Sequence, residues 1–588
     1  MSPIIGIDLG TTNTVVAAVR DGVAATLADP QGFLLIPSAV SFHPSGSVLV
    51  GRPALERRTV NATSTVHSIK RLIGRAWGSA EVEQARFKLP FELCEAANGG
   101  VGVKVRGETY GLPEISAFVM RYAITVAEGA IGEPVRRAVV TVPANFNDLQ
   151  RGATKLAAEL AGIEVSRVIN EPTAAALAYG AGEKRRERIA VYDLGGGTFD
   201  MTILEVEDNV FEVLATAGDS HLGGDDIDIV IADRMADGLA GRKFDARQSQ
   251  QLYVRLRILA ERVKRELSLN EQAEVKDDLV SGEAGPSERL SFAMTRKELE
   301  QATLATIERT FRVCEEALNT ARLSQTDIDR VLLVGGATRM PMVSRKVEHF
   351  FGKVPIARIN PDEVVALGAA VQASLLAGAG PERTAGLPRS PSAVRHLSAG
   401  AMVMPAGAVR PPSPLGPMRR KLTTSPGLGE SVSVPTAAGT RPVLVDVTPL
   451  SLGVETLGNV CDVVIAANTP VPCDRTRTFT TAADKQTTVR VRVAQGPSKL
   501  FSENTCLGEL ELSGIEAALR GDRTIAVTFE IDVDGILNVR ARDQKSGREA
   551  VAHMKLVGAQ TDPKQIAAMR DRQAAHPLAQ PHVGNSQP

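Results

Sequence analysis

The sequence predicts an α/β domain made of two duplicated lobes, followed by an all-β sandwich, with a disordered insertion between them. Three observations lead there. Residues 190–200 (AVYDLGGGTFD) read as a buried strand, a glycine turn and a return strand, and residues 4–19 (IIGIDLGTTNTVVAAV) repeat that layout about 185 positions earlier. Beyond residue 487 the pattern switches to period two with one apolar face, as in half-buried antiparallel strands. Between these regions, 379–442 holds eleven of the chain's 33 prolines and no apolar period.

The totals bound the answer. At 588 residues the chain exceeds one core, so several domains are expected. A net charge of -1 and 4% aromatics argue against nucleic acid as a partner. Five cysteines with no CxxC pair disfavour a disulfide framework or a zinc site and favour a reducing compartment. No apolar run has the roughly 18 residues of a membrane helix, and no secretory signal precedes Asp8. The expectation is a cytoplasmic monomer without membrane attachment.

In each hairpin the glycines let backbone N–H groups approach a phosphate with no Cβ in the way. Gly10, Thr11, Thr12 and Asn13 form the first turn; Gly195, Gly196, Gly197 and Thr198 form the second. Asp193 and Asp200 flank the second turn and suit a hydrated Mg²⁺, a hard cation that keeps its waters. A glycine turn alone also fits a plain hairpin; the repetition favours a nucleotide phosphate tail held between two halves. Lys70 and Arg71 in 66–75 (VHSIKRLIGR) read either as a solvated basic face or as a lysine at a γ-phosphate. Glu171 opens a helix in 168–179 (VINEPTAAALAY), where it suits the helix dipole or a water-aligning role. Helices are expected over 114–129, 150–161 and 252–269, and a strand over 138–142 before the turn at Pro143.

These segments resemble the actin-like ATPase superfamily, and the remaining motifs narrow the resemblance to the heat-shock protein 70 (DnaK-type) family. KRLIGR, VPANF, NDLQR, INEPTAAALAYG, HLGGDDID, VLLVGGATRMP and VLVDVTPLSLGVET all look like that family's segments, in its order. The resemblance implies an actin-like ATPase domain of ribonuclease H-like lobes over 1–378, a linker and peptide-binding sandwich over 443–557, and a short lid remnant and tail over 558–588. It implies ATP or ADP with Mg²⁺, and K⁺ as a candidate companion ion. Lys70 would stabilise the γ-phosphate and the attacking water, while Asp8, Glu171, Asp193 and Asp200 would order the metal's water shell. Glu261, Lys264 and Ser268 would hold ribose and base, with Gly223, Gly224 and Arg265 also in the nucleotide site. Gly335 and Gly336 would line the α-phosphate side, the Arg339 guanidinium would stack on adenine, and Asp362 would join the nucleotide site, although it also suits a local capping role.

The resemblance further implies that Pro143, Arg151, Val443, Leu444, Val445 and Asp446 relay nucleotide state, with Arg167 and Asp446 serving a J-domain co-chaperone. A nucleotide exchange factor and unfolded or extended polypeptides complete the expected partners. Peptide contact falls on Val454, Leu457, Val460, Phe479, Ala482, Val489 and Val491, positions that spacing alone reads as core. Two departures stand out. The family's lid helices are nearly all missing after residue 557. The insertion 379–442, with eight basic residues against two acidic ones, replaces a short connection. The expected function is an ATP-dependent chaperone with a slow, co-chaperone-stimulated ATPase; the alternative is a specialised binding member with a weak or uncoupled ATPase. A small-molecule kinase and a filament former are the rivals from other classes, and neither explains the β-domain.

Overall fold

The computed structural model describes residues 3–579 except 87, 97, 181–185, 208–209, 241–243, 281–286, 378–427, 434–441, 548 and 553–562. Lobe I begins with the meander β1 (Ile4–Leu9), β2 (Asn13–Arg20) and β3 (Val23–Leu27). β4 (Arg137–Val142) runs parallel to β1, and β5 (Glu164–Asn170) parallel to β4. Lobe II repeats the plan with the meander β6 (Glu187–Leu194), β7 (Phe199–Glu207) and β8 (Val210–Asp219), and β9 (Arg330–Val334) parallel to β6. The apolar runs in β1 and β6 are covered on both faces, as expected of central strands between helical layers.

Helices position the functional turns. In lobe I, α1 (Leu112–Ile131) starts with a proline in its first turn and stops at Gly132 in the left-handed region. α2 (Asp148–Leu160) opens with a capping box in which Asn147 and Gln150 bond each other's backbone N–H groups at 3.1 and 3.0 Å. That box fixes Asp148 and Arg151 in the first turn. α3 (Glu171–Gly180) follows β5 with no loop, which sets Glu171 at its N-terminus. Lobe II adds α4 (Gly224–Ala240), α5 (Gln250–Leu269) and α6 (Arg296–Ala321). α7 (Val364–Ala377) packs with α3 into an apolar cluster that also takes side chains from β2, β6 and β8, so one core joins the two sheets.

Two strands follow the insertion. β10 (Leu428–Ser433) pairs antiparallel with β3, and β11 (Val443–Val447) pairs parallel with β8. The sandwich then stacks β12 (Leu452–Thr456), β13 (Val460–Ile465), β16 (Thr488–Gln495) and β17 (Thr505–Ser513) on β15 (Cys473–Thr480), β18 (Thr524–Ile531), β19 (Leu537–Asp543) and β20 (Glu549–Ala552); β14 (Pro470–Val471) precedes β15. Lobe I runs β5-β4-β1-β2-β3-β10, and the two-residue strand Ile36–Pro37 also pairs with β2. Lobe II runs β9-β6-β7-β8-β11-β14, and the sandwich sheets run β13-β12-β16-β17 and β15-β18-β19-β20.

β10 corrects the expectation of a wholly disordered 379–442: residues 428–433 complete the lobe I sheet, while 379–427 and 434–441 lie outside the described residues. The tail brings a second surprise. α8 (Pro563–Ala575) packs on α1 and α2 of lobe I, burying Met569 beside Ala117, Leu156 and Leu160. Arg572 pairs with the buried Glu114 at 2.7 Å, and Val48 bonds the carbonyl of Pro577 at 3.1 Å. Residues 576–579 thus lie against lobe I; 558–562 and 580–588 fall outside the described residues.

Candidate functional site

The two glycine turns face each other across the lobes. Gly195 donates to Thr198 O at 3.0 Å, closing the second turn. A Cβ on Gly196 would stand 2.0 Å from Thr12 Oγ1, so only glycine lets the turns meet. A Cβ on Gly197 would stand 2.7 Å from Arg71 Nε and 2.8 Å from Thr11 Cγ2, and Gly10 packs on the Asn13 carbonyl. The 221–228 turn joins them through Gly224 N to Gly195 O at 2.9 Å, with Gly223 against Gly196.

Beneath this cradle lie the charged groups. Ile69–Arg71 form a short 3₁₀ turn that buries Lys70, whose Nζ donates to Glu171 Oε1 at 2.5 Å. Thr141 donates to Asp8 Oδ1 at 2.9 Å. Burial, then the neighbouring Glu171, push Asp8 up to about 7 and Asp200 up to about 8. The same causes hold Asp193 well above the usual carboxylate range. Burial pulls Lys70 down, but Glu171 and Asp8 outweigh it and hold the ammonium above its ordinary value. Carboxylates raised by burial and then by one another's charge are stabilised by an added cation. Among the described residues no three His, Cys, Asp or Glu side chains stand close enough to hold a metal directly.

A phosphate-and-metal group fits this cradle on two further grounds. Thr12 Oγ1 and Asp200 Oδ1 are buried without a hydrogen-bond partner among the described residues. Gly335 holds φ +83 next to Leu194 and donates to Pro361 O at 3.1 Å, bringing a third glycine turn to the β6 end. Among the residues expected to meet ribose and base, Lys264 bonds Gly224 O at 3.0 Å and pairs with Asp228 at 2.8 Å. Glu261 pairs with Arg58 at 3.8 Å, and Ser268 bonds Lys264 O within α5, where Arg265 stays exposed. Arg339 is bonded to Asp362 at 2.8 Å and to Asn360, and Gly336 packs on Asp362. The sequence reading missed Arg71, which bridges Gly196 O at 3.2 Å and Asp226 at 2.9 Å, and Asp228, pushed up to about 7 by burial despite Lys264. The signal for Arg71 was its place beside Lys70.

A second cluster joins lobe I, β11 and the sandwich. Arg151 is buried, with its guanidinium on Asn170 Oδ1 at 2.6 Å and Phe146 O at 3.2 Å. Asn170 in turn donates to Asp446 at 2.6 Å. Val443, Leu444 and Val445 sit opposite Val210, Phe211 and Glu212, and Asp446 opposite Val471 of β14. Pro143 ends the strand leading to this turn, and Arg167 faces Asp446 and Asp534. The sandwich adds three bonds that spacing could not reveal: Leu537 N to Asp148 Oδ1 at 2.7 Å, Asp148 N to Gln495 at 3.0 Å and Val168 N to Asp534 at 3.0 Å. Burial pushes Asp148 up to about 7 and raises Asp446.

The expected peptide positions divide. Val454 and Val491 are buried in the sandwich core, with Phe479 and Val489 packed against it. Leu457 is 75% and Val460 44% exposed, and Ala482 is exposed, so these three remain on the surface. No helix among the described residues is long and apolar enough to cross a membrane.

The family model described as Hsp70 protein matches residues 4–387 and 430–582, which leaves 388–429 as extra chain and narrows the insertion read from composition. Twin lobes of one topology, a charged cradle between their glycine turns and an all-β sandwich agree with that match. The chain belongs to the Hsp70 family, a chaperone class whose members generally bind ATP or ADP with Mg²⁺ and hydrolyse ATP.

Proposed function

We propose that this protein is an ATP-driven chaperone that captures and releases extended apolar polypeptide segments under nucleotide control. The carrying observation is β11: one strand extends the lobe II sheet and, through Asp446, meets both Asn170 at the end of lobe I's β5 and Val471 of the sandwich. A group that changes the closure of the lobes therefore acts on a strand that the sandwich also holds.

Lys70, Glu171, Asp8, Asp193 and Asp200 would hold Mg²⁺ and the terminal phosphate region, with Gly10, Thr11, Thr12, Asn13, Gly195, Gly196, Gly197 and Thr198 cradling the phosphates. The bound nucleotide supplies the phosphoanhydride that water cleaves, and the metal neutralises its charge. The residues do the positioning. Lys70 is held charged by Glu171, which points the ammonium into the cleft rather than leaving it free. Phe146 lies 5.8 Å from Lys70 Nζ and walls that side. Glu261, Lys264, Arg265, Ser268, Gly223, Gly224, Gly335, Gly336, Arg339 and Asp362 would take the nucleoside. Leu457, Val460 and Ala482, with Phe479 and Val489 below, would offer apolar contact to a peptide whose backbone bonds to sheet edges. Arg167 and Asp446 are the expected J-domain contacts, and an exchange factor would act on the nucleotide lobes.

With α8 on lobe I, among the described residues no helix covers the sandwich. Fluorescence anisotropy of a labelled extended apolar peptide tests the reading. Binding with ADP and rapid release on ATP are expected. Binding indifferent to ATP would leave a specialised peptide holder with an uncoupled ATPase, and absence of binding would overturn the proposal.

A further inference from the structure

Lobe II has its meander edge, β8, covered by β11, the segment that joins the lobes to the sandwich. Lobe I has the equivalent edge, β3, covered by β10, which ends ten residues earlier. Leu428 lies opposite Leu27, Ser431 opposite Ala25, Val432 opposite Ala24 and Ser433 opposite Val23. Val432 is half-buried and packs on the apolar cluster shared by the two sheets. β3 is bonded to β2 on its other side, so without β10 it would present a row of unpaired N–H and C=O groups. One short stretch of chain thus clasps the equivalent edges of both lobes.

We propose that the β3 edge is a strand-acceptor site whose resident occupant is the chain's own 428–433 segment, and that its occupancy sets the length of the leash between the lobes and the sandwich. Strand addition supplies main-chain bonds, and the side chain of Val432 supplies the register. The geometry changes what the long insertion means. From Ala377 to Val443 the chain could reach about 220 Å if extended, at 3.3–3.6 Å per residue. From Ser433, anchored on β3, to Val443 it reaches at most about 35 Å on the same rule. By sequence, only 434–442 then separate the sandwich's docking strand from the segment anchored on lobe I. When β11 leaves β8, β10 keeps the sandwich within that radius and favours its return.

The acceptor site does not rest on peptide binding, while the leash rests on the proposed undocking of β11, and the test separates them. Amide hydrogen exchange is followed over Val23–Leu27 in the full chain, in a variant lacking 428–433, and in Val432→Asp. Exchange there is expected to quicken at least tenfold in both variants, with β1 and β4 unchanged. Adding a synthetic peptide of sequence 426–435 to the deletion variant should restore protection. Equal protection of Val23–Leu27 with and without β10 would overturn the acceptor site. The leash is read from the distance between labels at Asp21→Cys and Lys545→Cys, both exposed positions, with ADP bound. Deletion of 428–433 should widen that distribution to longer separations; identical distributions would overturn the leash.

Discussion

The two lobes share one topology yet hold their outer edges in different ways. On lobe II, β11 lies parallel to β8 and is tied further by the chain of Asp446, Asn170 and Arg151 to lobe I and by β14 to the sandwich. On lobe I, β10 lies antiparallel to β3, and the side-chain support the structure describes is Val432. The contrast teaches where control can reside. An edge held by groups from three parts of the molecule senses all three; an edge whose described support is a ladder and the Val432 side chain is an anchor. The lobes differ in charge as well. Lobe I brings the ammonium, with Asp8 and Glu171, whereas lobe II brings Asp193 and Asp200.

The largest expected effect probes that charge difference. Lys70→Ala removes the cation among the four carboxylates and should lower single-turnover ATP hydrolysis by roughly 10²–10³-fold, the scale of losing one preorganised electrostatic contact. Retention of the full rate would remove Lys70 from the site. Next comes the lobe II edge. Arg151→Ala leaves Asn170 and Asp446 buried without their cation, and breaking such an arrangement costs about 2–5 kcal/mol. Docking of β11 should fall accordingly, read as faster amide exchange over Val443–Val447; unchanged exchange would detach Arg151 from the relay.

A pH effect follows in size. Asp148 sits at about 7 when docked, and in water a carboxyl titrates near about 4. Between these values the docked state holds a proton that the undocked state has lost. Acid therefore favours docking, and the advantage fades as pH rises through 7. From pH 8 to pH 6 docking should strengthen by up to about tenfold, and Asp148→Asn should reduce that slope. A slope of opposite sign would contradict the burial of Asp148. The smallest effect belongs to the lobe I edge: Val432→Ala should lower lobe stability by about 1 kcal/mol or less in denaturant unfolding, since the side chain is only half-buried. A loss as large as that of Arg151→Ala would erase the distinction between the edges.

Much of the architecture was legible because short-range chemistry encodes it. The hairpins around Gly10 and Gly196 announce themselves by apolar runs ending in glycine, and α2 is legible as a helix over 150–161, although its Asn147 and Gln150 capping pair starts it at Asp148. The sandwich strands 524–531 and 537–543 show period two. What stayed hidden depends on the partner rather than the segment. Lys70 and Glu171 are 101 residues apart, and nothing local links them. LGESVS in β10 has no strand pattern of its own; it becomes a strand because β3 offers an open edge. The 563–575 helix was legible, but its berth was not, because the apolar face that meets Leu156 and Leu160 could equally have met the sandwich. Asp148 read as a turn residue, and its role as acceptor for the Leu537 N–H exists only once the sandwich is docked.

The central claim, that β11 is the element through which nucleotide state reaches the sandwich, is tested most directly by amide exchange over Val443–Val447 with ATP and with ADP. The account predicts strong protection with ATP and exchange at least tenfold faster with ADP, with β6 and β7 unchanged. Equal protection in both states would contradict it, since the strand would then be a fixed part of the lobe II sheet.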